Sequence, residues 1–364
     1  MIDLKQYGYT ETDTPDDGLA PGRVIEQRRE LYTVITGYGE AQAVLKGSFH
    51  HETGERGEYP CVGDFVLVKY NADGVSQIAK LLPRRSKFSR ADFSGHAAGY
   101  VKTMLEQVVA ANFNYVFILT SLNQDFKLSR IIRYLTQARQ SGGLPVVILT
   151  KADLEPDYEA VAETVRKYAP DTPVHAVSSR TGLGLAGLNE YLRPGMTVVF
   201  LGMSGVGKSS LINVFMERDV MEVREIRDDD SRGRHTTTHR QLFMLPGPLG
   251  PGDPGAMVID TPGMRELGLF NADEGISAGY AGVEELFVSC RFSDCGHISE
   301  PGCAVVAAME DGSLTREDWE RYLAQRRENK FVDDKSGYMR DKRSFQKEIA
   351  KYSKRQKKNG KYKA

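Results

Sequence analysis

The sequence has few cysteines, a single tryptophan and no long apolar run. Its 364 residues include four Cys and one Trp, and no apolar stretch reaches the ~18–20 residues that a membrane-spanning helix needs. The start, Met1-Ile2-Asp3-Leu4-Lys5, has no basic region followed by an apolar stretch, so no secretory signal is predicted. We therefore expect a cytoplasmic protein that does not contact membrane.

Neither sign of charge is in excess over the whole chain. There are 49 acidic residues and 48 Lys and Arg, which gives a net charge of −1. The distribution is uneven, because residues 335–364 hold twelve Lys and Arg but only two acids. Such a basic tail favours a polyanion as partner, with RNA or DNA foremost. A solvated tail without a fixed partner is the alternative.

The composition, 40% hydrophobic and 27% charged, is typical of soluble globular protein, and the length predicts two or three domains. Residues 1–20 are polar and are predicted to be mobile. Residues 21–85 contain five short β-rich runs separated by turn residues, which predict an OB-fold-like β-barrel. The runs are 23–25, 31–35, 41–45, 65–68 and 75–78.

Residues 86–270 alternate apolar strands with helices, a pattern that predicts a parallel α/β sheet. The predicted strands are 115–120, 146–149, 174–177, 197–201 and 256–259. The predicted helices are 128–140, 158–168 and 185–192, with a further helix opening at 209–214. The Pro- and Gly-rich stretch 246–255 predicts a loop. Residues 271–334 predict short helices around a Cys/His cluster, before the basic tail at 335–364.

The clearest motif lies between the strand 197–201 and the helix that follows it. Residues 202–209 match the phosphate-binding pattern G-x-x-x-x-G-K-[ST]. In this motif, backbone N–H groups surround the phosphates, the lysine reaches the β- and γ-phosphates, and the hydroxyl of the last residue binds Mg²⁺. The predicted phosphate-binding residues are Gly202, Met203, Ser204, Gly205, Val206, Gly207, Lys208, Ser209 and Ser210.

A second segment, Thr150-Lys151-Ala152-Asp153, also follows a predicted strand and is suited to bind guanine. The Asp153 carboxylate can accept from N1–H and from the 2-amino group of guanine, a pair of donors that adenine lacks. Lys151 would lie along the base, and Ser178-Ser179 would complete the pocket through a backbone N–H. Thr150 stands where GTPases usually carry Asn. We expect its hydroxyl to preserve guanine specificity with a somewhat weaker affinity.

A third segment, Asp260-Thr261-Pro262-Gly263, lies after the phosphate loop. Asp260 is suited to hold Mg²⁺ through a water, and the Gly263 N–H to meet the γ-phosphate. Met264 stands where Ras-like enzymes place a water-orienting Gln, and a thioether cannot orient water. We therefore expect slow intrinsic hydrolysis.

The stretch 233–238, Gly-Arg-His-Thr-Thr-Thr, lies where a nucleotide-sensing switch belongs. Thr237 and Thr238 are the candidates for binding Mg²⁺ and γ-phosphate. His235 is a candidate for positioning the attacking water once a partner orders the switch. The alternative is that His235 packs against the protein or binds a partner's phosphate.

The order of these segments is unusual. Ordinary GTPases have the phosphate loop first and the guanine-binding segment last, whereas here the guanine-binding segment precedes the phosphate loop by about fifty residues. The same site is therefore predicted to form from a circularly permuted chain.

Three of the four cysteines lie close to one histidine. Cys290-x₄-Cys295-x-His297-x₅-Cys303 offers three thiolates and one imidazole, the ligands of a closed, four-coordinate structural Zn²⁺ site. In a reduced compartment, such a cluster favours metal binding over disulfides. A coincidental cluster of buried thiols is the alternative.

Together these features resemble the circularly permuted GTPases that act in small ribosomal subunit biogenesis. The stretches 82–86, 205–213 and 233–238 add to the resemblance, which covers nearly the whole chain. It implies an α/β fold: a circularly permuted P-loop GTPase domain with an N-terminal OB-fold β-barrel and a C-terminal zinc-binding helical module. The implied cofactors are GTP/GDP, Mg²⁺ and one structural Zn²⁺.

The same resemblance implies the small ribosomal subunit and its rRNA as partners. The barrel and the zinc module would grip rRNA on either side of the GTPase core, the subunit would stimulate hydrolysis, and hydrolysis would release the protein, which we expect to be a monomer. Two other functions stay open: a non-enzymatic RNA-binding assembly factor that uses GTP for stability, and a GTPase that acts on another RNA.

Overall fold

The chain folds into two compact units, residues 1–267 and 268–364. Within the described ranges, none of the helices combines the length and apolar character that crossing a bilayer would require. The computed structural model describes residues 1–10, 18–28, 30–47, 49, 59–92, 105–122, 126–203, 205–217, 240–247, 250–260 and 273–333.

The first five strands close into a barrel, as the sequence predicts. They are β1 (Ala20–Arg28), β2 (Leu31–Thr36), β3 (Gly39–Leu45), β4 (Phe65–Lys69) and β5 (Ser76–Leu81). Neighbouring strands are antiparallel except for the parallel pair β3–β5, and β1 closes the barrel by also pairing with β4. The interior is apolar because alternate residues of each strand point inward; Val24, Val34, Val66 and Ile78 are fully buried there.

A two-stranded ribbon, β6 (Lys87–Asp92) with β7 (Leu105–Ala111), precedes the α/β region. The α/β elements are β8 (Tyr115–Ser121), α1 (Leu128–Gln140), β9 (Leu144–Thr150), α2 (Tyr158–Tyr168), β10 (Val174–Ala176), β11 (Thr197–Gly202), α3 (Lys208–Phe215), β12 (Arg240–Gly247) and β13 (Gly250–Asp260).

The strands of this region lie in the order β10-β9-β8-β11-β13-β12. All neighbours are parallel except β12, which runs antiparallel to β13. Parallel strands end at the same edge of the sheet, and that edge is where open α/β sheets bind ligands. The carboxyl ends of β9, β11 and β13 therefore bring together the guanine-binding segment, the phosphate loop and Asp260.

Three segments differ from their sequence predictions. The predicted helix 185–192 is only a 3₁₀ turn, Leu185–Leu188, because glycines weaken a helix there and Pro194 follows. The predicted loop 246–255 belongs mostly to the hairpin of β12 and β13, with prolines at its irregular end, where Pro246 pairs with Pro254. Within the first twenty residues, Leu4–Tyr7 forms a 3₁₀ turn with Leu4 buried.

The barrel joins the α/β region in two ways. One is sheet pairing, since β1 also pairs with β12 through Glu26 with Gln241 and Gln27 with Arg240. As a result, one eleven-stranded sheet runs through the described strands of both parts.

The other link is Arg23 of β1, which is completely buried between barrel and α/β region. Burial, together with the nearby charge of Arg85, lowers the pKa of Arg23 to about 9, so the guanidinium is charged at pH 7. Its N–H groups donate to the carbonyl oxygens of Gly63 (3.1 Å), Tyr7 (2.6 Å) and Asn112 (2.7 Å) and to Thr197 Oγ1 (2.9 Å).

The stretch 82–86, which contributes to the family resemblance, forms the connection between the two parts. Arg84 makes a two-pronged bond to buried Asp64, with Nε 2.8 Å from Oδ1 and Nη2 2.7 Å from Oδ2. The Ser86 hydroxyl donates to the Phe113 carbonyl at 2.6 Å and accepts from the Phe113 N–H at 2.8 Å. The chain is therefore held by side-chain bonds on both sides of the junction.

The second unit is helical in its described residues. Its elements are α4 (Asp273–Gly279), α5 (Ala281–Val288), α6 (Ala304–Glu310) and α7 (Arg316–Asp333). Trp319 and Tyr322 of α7 stack at 5.5 Å and pack edge-on against Phe287 of α5. Arg326 binds Asp273 at 2.6 Å and also binds Glu284, which ties α7 to α4 and α5.

Substituting Arg23→Leu should destabilise the first unit. Three buried carbonyl oxygens lose their charged donor, and each loss costs about 1–3 kcal/mol, so the free energy of unfolding should fall by about 3 kcal/mol or more. Urea unfolding followed by far-UV circular dichroism measures this loss. Fluorescence of Trp319, the single tryptophan, follows the second unit and should keep its transition.

Arg28→Leu is the matched control. Arg28 also lies on β1, but its side chain is 60% exposed and pairs only with Glu26 among the described ion pairs, so its loss should cost less than about 1 kcal/mol. Equal unfolding midpoints for the two variants would show that the buried bonds of Arg23 do not hold the first unit together.

Candidate nucleotide and zinc sites

The phosphate loop leaves β11 and enters α3, as its motif predicts. Gly205 and Gly207 have positive φ angles of 74° and 94°, which let the backbone turn tightly in front of the helix N-terminus. Lys208 Nζ donates to the carbonyl oxygens of Gly202 (2.6 Å) and Met203 (3.2 Å). The ammonium group is thus folded over the loop, where it can exchange these carbonyls for phosphate oxygens.

Asp260 ends β13 beside this loop, because β13 is the parallel neighbour of β11 and Ile259 pairs with Val199. The carboxyl group is largely buried, and burial raises its pKa, while the positive charge of Lys208 lowers it. A buried carboxylate beside a serine hydroxyl provides the oxygen ligands that Mg²⁺ prefers. Asp260 and Ser209 therefore fit the predicted magnesium site.

The guanine-binding segment and the phosphate loop line one cavity of about 750 Å³. This volume is within the range of small-molecule sites. The lining residues are Thr150, Lys151, Asp153, Leu154, Ser178, Ser179, Arg180, Gly207, Ser210, Asn213, Val214 and Glu217. Segments that are far apart and permuted in the chain thus share one pocket.

Asp153 lies on the base side of this cavity, with its side chain 13% exposed and its Oδ2 3.6 Å from Nε of Arg180. Lys151 adopts a left-handed backbone conformation, with φ 58°, which turns the chain sharply after β9. The Ser178 hydroxyl accepts from the backbone N–H groups of Arg180 and Thr181, both at 3.2 Å. Ser178 therefore shapes the loop, and the Ser179 N–H remains the candidate for the base.

Thr150 makes a contact that the sequence did not predict. Its buried hydroxyl donates to the Val206 carbonyl oxygen of the phosphate loop at 2.6 Å. The bond spans 56 positions in the chain and joins the base pocket directly to the phosphate loop. Thr150 therefore acts on the loop that holds the phosphates, and its hydroxyl is not directed at the base.

The cavity also includes residues that the motifs did not identify. Ser210, Asn213, Val214 and Glu217 recur at the spacing of one helix face, and that face follows from the helix that the phosphate loop opens. Arg180 and Leu154 lie directly beside predicted residues. Five predicted site residues lie outside the described part of the chain: Ser204, His235, Thr237, Thr238 and Gly263.

In the second unit, the four predicted zinc ligands converge. Their ligand atoms all lie within 4.8 Å of one another. His297 Nδ1 is 3.5 Å from the sulfur atoms of Cys290 and Cys303, and those sulfurs are 4.0 Å apart. Zinc–ligand bonds of about 2.0–2.3 Å in a tetrahedron separate ligand atoms by about 3.5–3.8 Å. The cluster thus fits a structural zinc ion with no position left for water.

Neighbouring groups hold this cluster in place. The His297 ring stacks on Phe287 at 4.4 Å and meets Trp319 edge-on at 5.8 Å. The Glu300 carboxylate accepts from the backbone N–H groups of Gly296, Ile298 and Ser299 at 2.8–3.0 Å. These bonds, with the Glu300 N–H, lower the pKa of Glu300 to about 2, so its carboxylate stays ionised at neutral pH.

Comparison with known proteins supports both sites. A family profile described as RsgA GTPase matches residues 81–270. "Small ribosomal subunit biogenesis GTPase RsgA 2" of Lactiplantibacillus plantarum is 43% identical over 331 residues, which cover 90% of this chain and 89% of that protein.

Two solved structures share the fold. The crystal structure of YjeQ from Thermotoga maritima aligns with a TM-score of 0.61 and 25% identity, covering 84% of this chain and 96% of that one. YloQ, described as a circularly permuted GTPase, aligns with a TM-score of 0.55 and 22% identity over 84% of this chain and 93% of its own. The permuted fold predicted from motif order is confirmed.

Substituting Thr150→Val should weaken nucleotide binding without changing the choice of base. Valine keeps the shape of threonine but leaves the Val206 carbonyl without this donor, which costs about 1.4 kcal/mol or tenfold in affinity. GTP and GDP should lose affinity equally, because the phosphate loop contacts both. Titration of fluorescent nucleotides measures the change.

Thr150→Ser is the matched control, since it keeps the hydroxyl and removes only the methyl group. Its affinity should stay close to that of the unaltered protein. If the serine variant binds as weakly as the valine variant, the methyl contact matters and the hydrogen bond does not.

Substituting Glu300→Gln should speed the release of zinc. An amide retains one accepting oxygen, and its NH₂ group meets N–H donors, so the loop around His297 loses part of its support. Loss of such outer contacts weakens metal binding by about 10–100-fold. Zinc transfer to a chromogenic chelator measures the rate, with Asp294→Asn as a control that removes the same charge from the same loop. Equal rates for the two variants would contradict the role of Glu300.

Proposed function

This chain belongs to the RsgA GTPase family, and from that premise we propose that it couples GTP hydrolysis to the biogenesis of the small ribosomal subunit. The observation that supports this proposal most strongly is the single cavity lined by Asp153 and Ser179 on one side and by Gly207 and Ser210 on the other. Such a cavity can accommodate a guanine base and a phosphate chain together.

Each side of the cavity has its own task. Asp153 selects guanine by accepting its two edge donors, and Lys208 leaves the Gly202 and Met203 carbonyls to neutralise phosphate charge. Ser209 and Asp260 would hold Mg²⁺, which supplies charge stabilisation on the phosphate oxygens. Thr150 keeps the phosphate loop at a fixed distance from the base.

The base and phosphate contacts bind and orient the nucleotide, but the described residues of the cavity include no general base placed to activate water. Intrinsic hydrolysis is therefore slow, and stimulation by the subunit follows from ordering of the segment that contains His235. Thr237 or Thr238 would complete the magnesium and γ-phosphate contacts in the same ordered state.

The chain order passes the nucleotide state to the second unit. Asp260 is the last described residue before a short connection, and the second unit begins its described part at Asp273. That connection contains Gly263, the predicted γ-phosphate contact. When phosphate leaves, the connection changes and the second unit loses its GTP-state position, which releases the protein from the subunit.

The barrel and the basic tail supply RNA contact in this proposal. An OB-fold barrel presents a groove suited to single-stranded nucleic acid, and the tail brings twelve Lys and Arg. Phosphate contacts of this kind weaken steeply as salt rises. The barrel is fixed to the nucleotide-binding region through Arg23 and β12, so it docks as one body with that region.

Phosphate release with GTP and with ATP, in the presence and absence of purified small ribosomal subunits, tests this function. We expect turnover of GTP only, slow alone and at least tenfold faster with subunits. Asp153→Asn should shift preference toward xanthosine triphosphate, because the amide can donate to the 2-carbonyl of xanthine. Lys208→Ala should lose turnover of either nucleotide.

Three outcomes would contradict the proposal in different ways. Equal turnover of ATP would remove the guanine-specific role of Asp153. GTP binding without hydrolysis, even with subunits, would indicate a non-enzymatic assembly factor. Stimulation by another RNA but not by small subunits would move the activity to a different substrate.

A further inference from the structure

Three large apolar side chains are exposed around the zinc cluster. Val288 is 90% exposed, Ile298 82% and Phe292 43%. Val288 and Phe292 each lie two residues from Cys290, and Ile298 directly follows His297. Because Cys290 Sγ and His297 Nδ1 are 3.5 Å apart, these side chains flank one point of the fold. We name Val288, Phe292 and Ile298 the zinc-knuckle patch.

The patch sits on backbone that is held firmly before any partner arrives. The zinc ligands fix the chain on both sides of Phe292, and Glu300 accepts from the Ile298 N–H at 2.8 Å. The Arg291 guanidinium lies 5.4 Å from the centre of the Phe292 ring. A rigid, exposed apolar patch loses little conformational entropy on binding and is a mark of an interaction surface.

The charge around the patch argues against a nucleic acid as its partner. Residues 273–333 hold thirteen acids and six Lys and Arg, a net charge of −7. Arg321 and Arg326 are already committed to ion pairs with acids of the same unit. A field of this sign repels phosphates. It attracts a surface rich in Lys and Arg.

The chemistry of the patch points in the same direction. Val288 and Ile298 are aliphatic, and aliphatic side chains provide no ring face on which a base can stack. Exposed acids lie beside them, with Glu285 one helical turn before Val288 and Asp294 two residues after Phe292. An apolar centre with a charged rim is the anatomy of a protein–protein interface.

We propose that the zinc-knuckle patch docks on a basic protein of the small ribosomal subunit. Val288, Phe292 and Ile298 enter an apolar recess of that protein, and the surrounding acids face its Lys and Arg side chains. This assignment rests on the proposed function, which makes the small subunit the partner. It departs from the expectation that the zinc module grips rRNA.

Site-specific photo-crosslinking tests the proposal on the full-length protein. A benzophenone side chain replaces Ile298, and the protein is bound to purified small subunits with a non-hydrolysable GTP analogue. A second protein carries the probe at Val75, an exposed apolar position of the barrel (51% exposed). After irradiation, protease and ribonuclease digestion show whether each adduct is protein or RNA, and mass spectrometry identifies it.

We expect the position-298 probe to form an adduct with a basic ribosomal protein. A crosslink to rRNA, a crosslink to residues 335–364 of the same chain, or no crosslink in a bound complex would each overturn the proposal. Failure of the unaltered protein to bind small subunits at all would instead overturn the proposed function. The two failures are therefore distinct.

Affinity gives an independent measurement. The double variant Val288→Ser, Ile298→Ser should weaken co-sedimentation with small subunits by about tenfold, because the apolar anchors are lost. GTP turnover without subunits should not change, since neither residue lines the nucleotide cavity. Zinc content should also stay at one ion per chain, which separates loss of docking from loss of the fold. Unchanged subunit affinity would contradict the proposal.

Discussion

The buried guanidinium of Arg23 is the interaction on which the arrangement of the first unit depends. It is completely buried, and its N–H groups meet acceptors from four separate parts of the chain. One of these, Thr197, begins the strand that leads to the phosphate loop. A charge can remain in such a place only when its donors are satisfied. Barrel and nucleotide-binding region must therefore keep one relative position, because any displacement would strand a buried charge.

Permutation gives this rigid junction its meaning. In the unpermuted order, the strand that ends at Asp260 lies inside the chain and leads to further strands of the same sheet. Here the sheet is complete at Asp260, and the chain continues through a connection to the second unit. The barrel is fixed by Arg23 and by the β1–β12 pairing, so the part of the protein that can respond to nucleotide is the part that follows Asp260.

Local signals predicted most of the fold, and contacts between distant residues account for what they missed. The central strands are nearly continuous apolar runs, and a glycine-rich loop after β11 can serve few purposes other than phosphate binding. By contrast, Arg23 carries no local sign of burial, because its acceptors are carbonyl oxygens that any residue supplies. Thr150 looked like a weaker substitute for Asn at the base, yet its hydroxyl bonds the Val206 carbonyl 56 positions away. The hairpin at 246–255 was hidden by prolines that only its irregular end can tolerate.

The distribution of charge separates the tasks of the chain. The described part of the second unit is acidic, while the tail that follows it carries an excess of ten positive charges. Both cannot favour the same polyanion. A chain that gave its RNA contact to the tail and barrel would keep its zinc unit free of repulsion from phosphate only by turning that unit toward a basic surface. On a particle made of RNA and basic proteins, the acidic knuckle and the basic tail would then select different components, and simultaneous engagement of both would require a correctly assembled surface.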